Sequence, residues 1–254
     1  MKVIILGTGT SQGVPVIGCG CETCNSKNPK DKRTRTSVYI KVNNSNLLID
    51  TSVDFRQQML RNNITDIDSV LYTHHHVDHI FGMDDLRQIT QRLDKRIDIY
   101  GREDTLNELR VTFRYVFDKQ LIKHKSVPIV KFHNKTNKKF KAGDTEILPI
   151  EVHHGNIKIF GYRINDFAYI TDASAIDEKE LKKLKGLKAL IINALRIRPH
   201  PTHFNLHQAI EISKSVNPEK TYFTHLTHDI LHDKINKTLP KGIELAYDGL
   251  EINL

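Results

Sequence analysis

Asp68-Ser69-Val70-Leu71-Tyr72-Thr73-His74-His75-His76-Val77-Asp78-His79 begins as an apolar strand and ends in a cluster of potential metal donors. Asp68 to Thr73 has the length and β-branched, aromatic content of a buried strand. Residues two apart on an extended chain point the same way, so His74 and His76 can address one metal together. Asp78 and His79 come as the chain turns towards the next helical pattern, where they can face a neighbouring position. Neutral imidazole and carboxylate suit zinc, and also manganese or iron. A polar loop with chance histidines is the plain alternative. It is a poor account of four donor-type residues directly after a buried strand.

The surrounding pattern alternates strands and helices. Val3–Leu6 is a strand ending at a glycine turn, and Gly7-x-Gly9 leads into a Gly/Pro/Cys-rich loop to about Pro29. That continuation is no helix, which excludes a dinucleotide fingerprint. Ser37–Val42, the turn Asn43–Asn46 and Leu47–Asp50 read as a hairpin. Helices are predicted over Phe55–Asn62, Asp84–Arg92, residues 104–124, Glu178–Leu184, Leu206–Val216 and Asp233–Leu239. Further strands are predicted at Ile97–Tyr100, Glu146–Val152, Gly161–Ile164, Ala168–Thr171, Leu190–Ile192, Thr221–Thr224 and Leu245–Tyr247. Strands occur in both halves with helices after them, and no linker or repeat divides the chain. A single domain over 1–254, with two sheets, is the simplest organisation.

Composition narrows the classes. The chain has 254 residues, 39% hydrophobic, with a formal net charge of +8. It can bury a sizeable core, and disorder or a disulfide scaffold is excluded. A basic balance fits a phosphate-bearing substrate or nucleic acid. Residues 119–141 hold eight lysines and no carboxylate. No run is long enough for a membrane span or a signal segment, so a cytoplasmic, membrane-free protein is expected. The three cysteines all lie at Cys19, Cys21 and Cys24. In a reducing compartment such clustering reads as metal binding.

His74-x-His76-x-Asp78-His79 resembles the signature of the metallo-β-lactamase superfamily. That resemblance implies an αβ/βα sandwich of two facing mixed sheets, with two divalent ions, zinc or manganese, at one edge. It implies further ligands at later strand ends. His154 matches the next histidine, with His153 the adjacent alternative. Asp172 matches the bridging aspartate and His225 the last histidine. Asp50 resembles an early aspartate that supports a ligand histidine. The implied arrangement puts His74, His76 and His154 on one metal, Asp78, His79 and His225 on the other, and Asp172 between. Two such ions can clamp a phosphoryl group and activate the water between them as nucleophile.

A closed structural zinc site takes four ligands, and the cysteine loop at about 18–30 supplies three. His228 is the candidate fourth and His232 the weaker one. Gly7-Thr8-Gly9-Thr10-Ser11-Gln12-Gly13-Val14-Pro15, the cysteines and Thr224-His225-Leu226-Thr227-His228 together resemble the phosphoribosyl cyclic phosphodiesterases of bacterial phosphonate degradation. That subfamily implies a structural zinc beside the catalytic pair, and a small, cyclic ribose phosphodiester as substrate. It also implies an assisting histidine as general acid, which maps to His203, with His200 as substitute. Asp78 and His203 are thus the candidates for direct catalytic roles. Asn193–Pro199 departs from the subfamily pattern, which leaves the substrate open; Arg196 and Arg198 there are either phosphate contacts or solvated. A ribonuclease Z-like nuclease and a non-hydrolytic accessory protein are the competing classes. The basic segment favours the first, while the lack of a long Gly/Pro-rich arm opposes it. A homodimer is a further expectation from the family.

Overall fold

The computed structural model describes residues 1–254. Its strands, in chain order, are β1 (Lys2–Gly7), β2 (Ser37–Val42), β3 (Ser45–Ile49), β4 (Ser69–Leu71), β5 (Ile97–Gly101), β6 (Val130–Asn134), β7 (Phe140–Ala142), β8 (Thr145–His154), β9 (Ile157–Ile164), β10 (Phe167–Ile170), β11 (Ala189–Asn193), β12 (Lys220–Thr224), β13 (Ile243–Leu245) and β14 (Glu251–Asn253). They form two seven-stranded sheets, ordered β14-β1-β2-β3-β4-β5-β6 and β13-β12-β11-β10-β9-β8-β7. In the first, β14 to β3 pair antiparallel and β3 to β6 parallel. In the second, β7 to β10 pair antiparallel and β10 to β13 parallel. Both sheets are therefore mixed.

Side-chain alternation builds the layers. Val3 and Ile5 of β1 enter a cluster between the sheets, while Ile4 and Leu6 enter a second cluster outside the first sheet. On β11, Ala189 and Ile191 face the inter-sheet cluster, and Leu190 and Ile192 face a third, outside the second sheet. The helices Phe55–Arg61, Leu86–Leu93 and Glu103–Thr112 cover the first sheet, through residues such as Phe55, Leu86 and Leu106. Leu206–Val216 and His232–Asn236 cover the second, through Ala209 and Ile235. The result is the expected αβ/βα sandwich. Each fully buried aliphatic side chain contributes roughly 1.5–3 kcal/mol. No helix is long and apolar enough to cross a membrane.

Three local expectations are corrected. Residues 104–124 do not form one helix. The chain makes Glu103–Thr112, a 3₁₀ turn Arg114–Phe117, and Lys119–Lys123. Phe113 leaves helical geometry (φ −109°, ψ 39°) with its ring buried in the outer cluster. Asp118 then caps the last piece by accepting from the backbone N–H groups of Gln120 and Leu121. The lysine-rich segment, expected without strands, contributes β6 and β7, the edge strands of the two sheets. Val130 and Phe132 pack against the outer cluster while Lys131 stays exposed. Lysine on an edge strand discourages pairing with another chain, so the charge that obscured these strands is part of being an edge. The cysteine loop is not wholly irregular either: Cys21 accepts from the Cys24 N–H and starts a helical turn, Glu22–Asn25.

Candidate active site and thiolate cluster

The donor residues converge where parallel strands of both sheets end, the crevice that ligands favour in open α/β sheets. Asp50 follows β3, the His74–His79 motif follows β4, Asp172 follows β10 and His225 follows β12, while His154 ends β8. Asp50, Asp172 and His225 all have left-handed backbone, at φ 62°, 57° and 57°. Non-glycine residues there are held by their surroundings against a local preference, and such strain concentrates at functional sites. Here it turns the side chain into the crevice as the strand stops.

His74, His76, His154 and Asp172 form one donor group, and Asp78, His79 and His225 a second; within each, the donor atoms lie within 4.8 Å of one another. Asp172 links the two, with Oδ2 at 4.0 Å from His74 Nε2 and 3.3 Å from His225 Nε2, and Oδ1 at 3.4 Å from His79 Nε2. His74 and His76 both approach His154, as alternation on an extended segment requires. His76 directly precedes the short helix Val77–Ile80, which brings Asp78 and His79 round to the other group.

Hydrogen bonds fix which nitrogen faces inward. His79 Nδ1 lies 2.7 Å from Asp50 Oδ2, and a carboxylate accepts only, so Nδ1–H donates. His154 Nδ1 donates to the Thr202 carbonyl at 2.8 Å. Thr73 donates its backbone N–H and its hydroxyl to Asp50, and its hydroxyl oxygen lies 3.0 Å from His74 Nδ1. With that hydroxyl proton committed, His74 Nδ1–H is the donor. All three rings thereby present Nε2 to the centre, the arrangement that outer hydrogen bonds impose on metal-binding histidines. Thr73 and Thr202 were not legible as site residues: Thr73 reads as the last strand residue, and Thr202 acts through its backbone.

The centre calls for a cation. His74 Nε2, His79 Nε2 and both ring nitrogens of His225 are buried without a hydrogen-bond partner. Such orphaned atoms are costly unless something else engages them. Burial alone would lower the His79 pKa, yet the carboxylates of Asp78, Asp172 and Asp50 outweigh it and hold the ring well above its usual range. Burial likewise opposes the ionised form of Asp172, but His225 and His79 hold it well below the usual carboxylate range. Imidazoles and carboxylates in this arrangement fit divalent metals of the zinc and manganese type.

His203 stands beside this centre, with Nε2 3.1 Å from Asp172 Oδ2. Its Nδ1 meets the Thr202 hydroxyl at 2.9 Å and His200 Nδ1 at 3.1 Å. Burial lowers its pKa to about 4 in spite of the neighbouring carboxylate, so the ring is neutral at pH 7 with its proton on Nε2. His200 is the outer member of the pair. His153 points away, to Asp177 at 3.1 Å, which leaves His154 as the residue brought to the centre. Arg196 braces its own loop through the Arg198 and Pro199 carbonyls, and Arg198 is exposed beside Asp229.

A separate cluster holds the cysteines. The sulfurs of Cys19, Cys21 and Cys24 lie 3.2, 3.5 and 3.7 Å from His228 Nδ1. The Cys24 N–H lowers the Cys21 thiol to about 6, whereas burial pushes Cys24 up to about 11. Three sulfurs and one imidazole are the donor set of a closed tetrahedral zinc site. His232 takes no part; it is buried against Tyr247, with ring centroids 6.0 Å apart.

The model of the β-lactamase superfamily domain matches residues 45–226 of this chain. The chain belongs to the metallo-β-lactamase superfamily. Within it, the resemblance is to the PhnP family: a solved structure described as a new diphosphatase from that family is 39% identical, with a TM-score of 0.93 over 100% of this chain and 97% of that one. An octanoyltransferase of Porphyromonas gingivalis is also 39% identical, over 99% of this chain but 51% of that protein. The chain spans about half the length of the curated relatives it matches. Zinc-bound PqqB from Methylobacterium extorquens shares the fold, with a TM-score of 0.81 at 20% identity. The superfamily, the diphosphatase structure and the histidine–aspartate cluster together support a metal-dependent hydrolase.

Proposed function

We propose that this superfamily member is a two-metal phosphodiesterase acting on a small phosphodiester, with a cyclic ribose phosphate as the leading class. The observation that carries the reading is the pair of donor groups joined at Asp172, with His203 against the same carboxylate. His74, His76 and His154 would hold one divalent ion, Asp78, His79 and His225 the other, and Asp172 would touch both. Ions there supply charge neutralisation for a phosphoryl group and activation of a water. Asp50 and the Thr202 carbonyl keep the Nε2 lone pairs of His79 and His154 aimed inward. His203 would hold its Nε2–H towards the centre as a hydrogen-bond donor to the departing ester oxygen, with Thr202 and His200 fixing the ring from behind at Nδ1. Cys19, Cys21, Cys24 and His228 would hold a structural zinc.

A second reading is cleavage of a diphosphate linkage, favoured by the 39% identical structure being described as a diphosphatase. Both reactions displace an oxygen from phosphorus and draw on the same donors. The test measures metal per chain and hydrolysis of bis(p-nitrophenyl) phosphate, cyclic nucleotides and nucleoside diphosphates, before and after chelation. About three metals per chain, with chelation-sensitive turnover of the diesters, is the expected result. Turnover of diphosphates alone would move the second reading ahead. One tightly held zinc and no hydrolysis under any metal would leave the accessory-protein class.

A further inference from the structure

His225 and His228 lie three residues apart yet face different clusters, His225 the histidine–aspartate centre and His228 the three thiolates. The segment that carries them, residues 225–230, is turn without helix or extended strand. Its conformation is therefore held from outside: Leu226 bonds through its backbone to Thr8 and Thr10, Thr227 to Leu195, and the side chain of Arg33 grips the far end of the turn. The Arg33 side chain is wholly buried. Its Nη1 donates to the Thr227 carbonyl at 2.8 Å, and its Nη2 donates to the Ile230 carbonyl and to Asp31 Oδ1. The two carbonyls bracket His228 in sequence. Asp31 accepts in turn from the His232 backbone N–H at 2.8 Å and from the Ser26 hydroxyl at 2.8 Å. The adjacent Lys32 donates to the Cys24 carbonyl at 3.1 Å.

One guanidinium thus joins the loop that bears the cysteines to the turn that bears both histidines. A planar fork can span two carbonyls and a carboxylate together, which an ammonium cannot do in fixed geometry. A buried cation with a single carboxylate partner is an expensive brace, so the geometry it enforces matters.

We infer that Arg33 is a positioning residue that makes the two donor clusters interdependent: filling the thiolate site strengthens metal binding at the histidine–aspartate centre by holding the 225–230 turn. Such coupling is reciprocal, so metal at the centre also tightens the thiolate site. The inference rests on reading both clusters as metal sites.

Cobalt(II) titration of the full chain separates the two sites. Thiolate charge-transfer absorption reports the cysteine cluster, and weaker ligand-field bands report the histidine–aspartate centre. Cobalt affinity of the centre is measured for the wild type, Cys24→Ser, Arg33→Met and the double variant. Each single change is expected to weaken the centre by on the order of tenfold, the range for residues that orient metal ligands. The double variant is expected to be no worse than either, because both lesions break one linkage. Should Arg33→Met not fold, Asp31→Asn is a milder lesion of the same link and enters the same comparison. A centre unchanged by Cys24→Ser, or losses that multiply in the double variant, overturns the inference. So does an Arg33 variant that melts earlier while binding cobalt at the centre normally. Absence of ligand-field bands in the wild type sinks the two-metal reading itself, an outcome distinct from loss of coupling.

Discussion

The thiolate cluster draws three of its four donors from Cys19 to Cys24, whereas the histidine–aspartate cluster gathers seven donors from four separate segments. The first is assembled mostly by one capped helical turn and completed by a single distant histidine. The second exists only because two sheets stop at the same edge, with Asp50, Asp172 and His225 turned inward through left-handed backbone. The closed sulfur set suits structural zinc, while the larger set, with His76 exposed at its mouth, suits exchangeable metals and substrate. A local cluster and a global one should therefore fail differently.

The sharpest break is Asp172→Ala. Removing the residue shared by both donor groups is expected to slow diester hydrolysis by on the order of a thousandfold, about 4 kcal/mol of barrier. Thiolate-site cobalt absorption should survive apart from the modest coupling through Arg33, and steady-state kinetics beside spectroscopy read both. Complete loss of both sites would erase the distinction between the clusters. Next comes Asp50→Asn, which leaves every proposed ligand in place but no longer anchors His79 Nδ1 as a carboxylate. Metal affinity of the centre should fall about 10–100-fold, measured by equilibrium dialysis. A normal affinity would mean that packing alone orients His79.

Two smaller effects probe the frame around the clusters. His203 directly precedes Phe204 and the capping box in which Asn205 starts the helix Leu206–Val216. Asn205→Ala should cost about 1 kcal/mol, lowering the melting temperature by roughly 2–4 °C, with a change in kcat only if the His203 loop moves with its cap. His232 provides the pH test, in a place where sequence proximity to His228 misleads. Burial, with Arg33 and Lys30 adding to it, lowers its pKa from 6.5 to about 4. The unfolded chain then binds the proton more readily, so the contribution is complete above about 6.5 and is lost as pH falls through 4. The melting temperature should drop over that window by a few degrees, roughly 2–4 °C, and His232→Leu should flatten the drop. An unchanged profile would place the acid sensitivity elsewhere.

Much of this molecule was legible before its structure. The continuous apolar runs Val3–Leu6 and Leu190–Ile192 marked strands buried on both faces, and the helix Leu206–Val216 was bounded correctly because its cap and apolar spacing are local signals. The edges were not legible. β6 and β7 bury little and carry the lysines that guard an edge, so composition argued against them. The break at Phe113 was hidden for the opposite reason: a tertiary pocket for its ring outweighs helix continuity.

The sequence by itself determined the chemistry available: the spacing His74-x-His76-x-Asp78-His79 and the run Cys19-x-Cys21-x-x-Cys24 are donor sets whatever surrounds them. Only the tertiary structure decided between His154 and His153, set His203 against Asp172 with His200 behind it, gave His228 rather than His232 to the sulfurs, and brought Arg33 to the Thr227 and Ile230 carbonyls. Neighbouring residues on a strand face opposite sides, and a one-residue choice of face is made by what lies across the crevice. That partner is far away in sequence, so no local pattern records it.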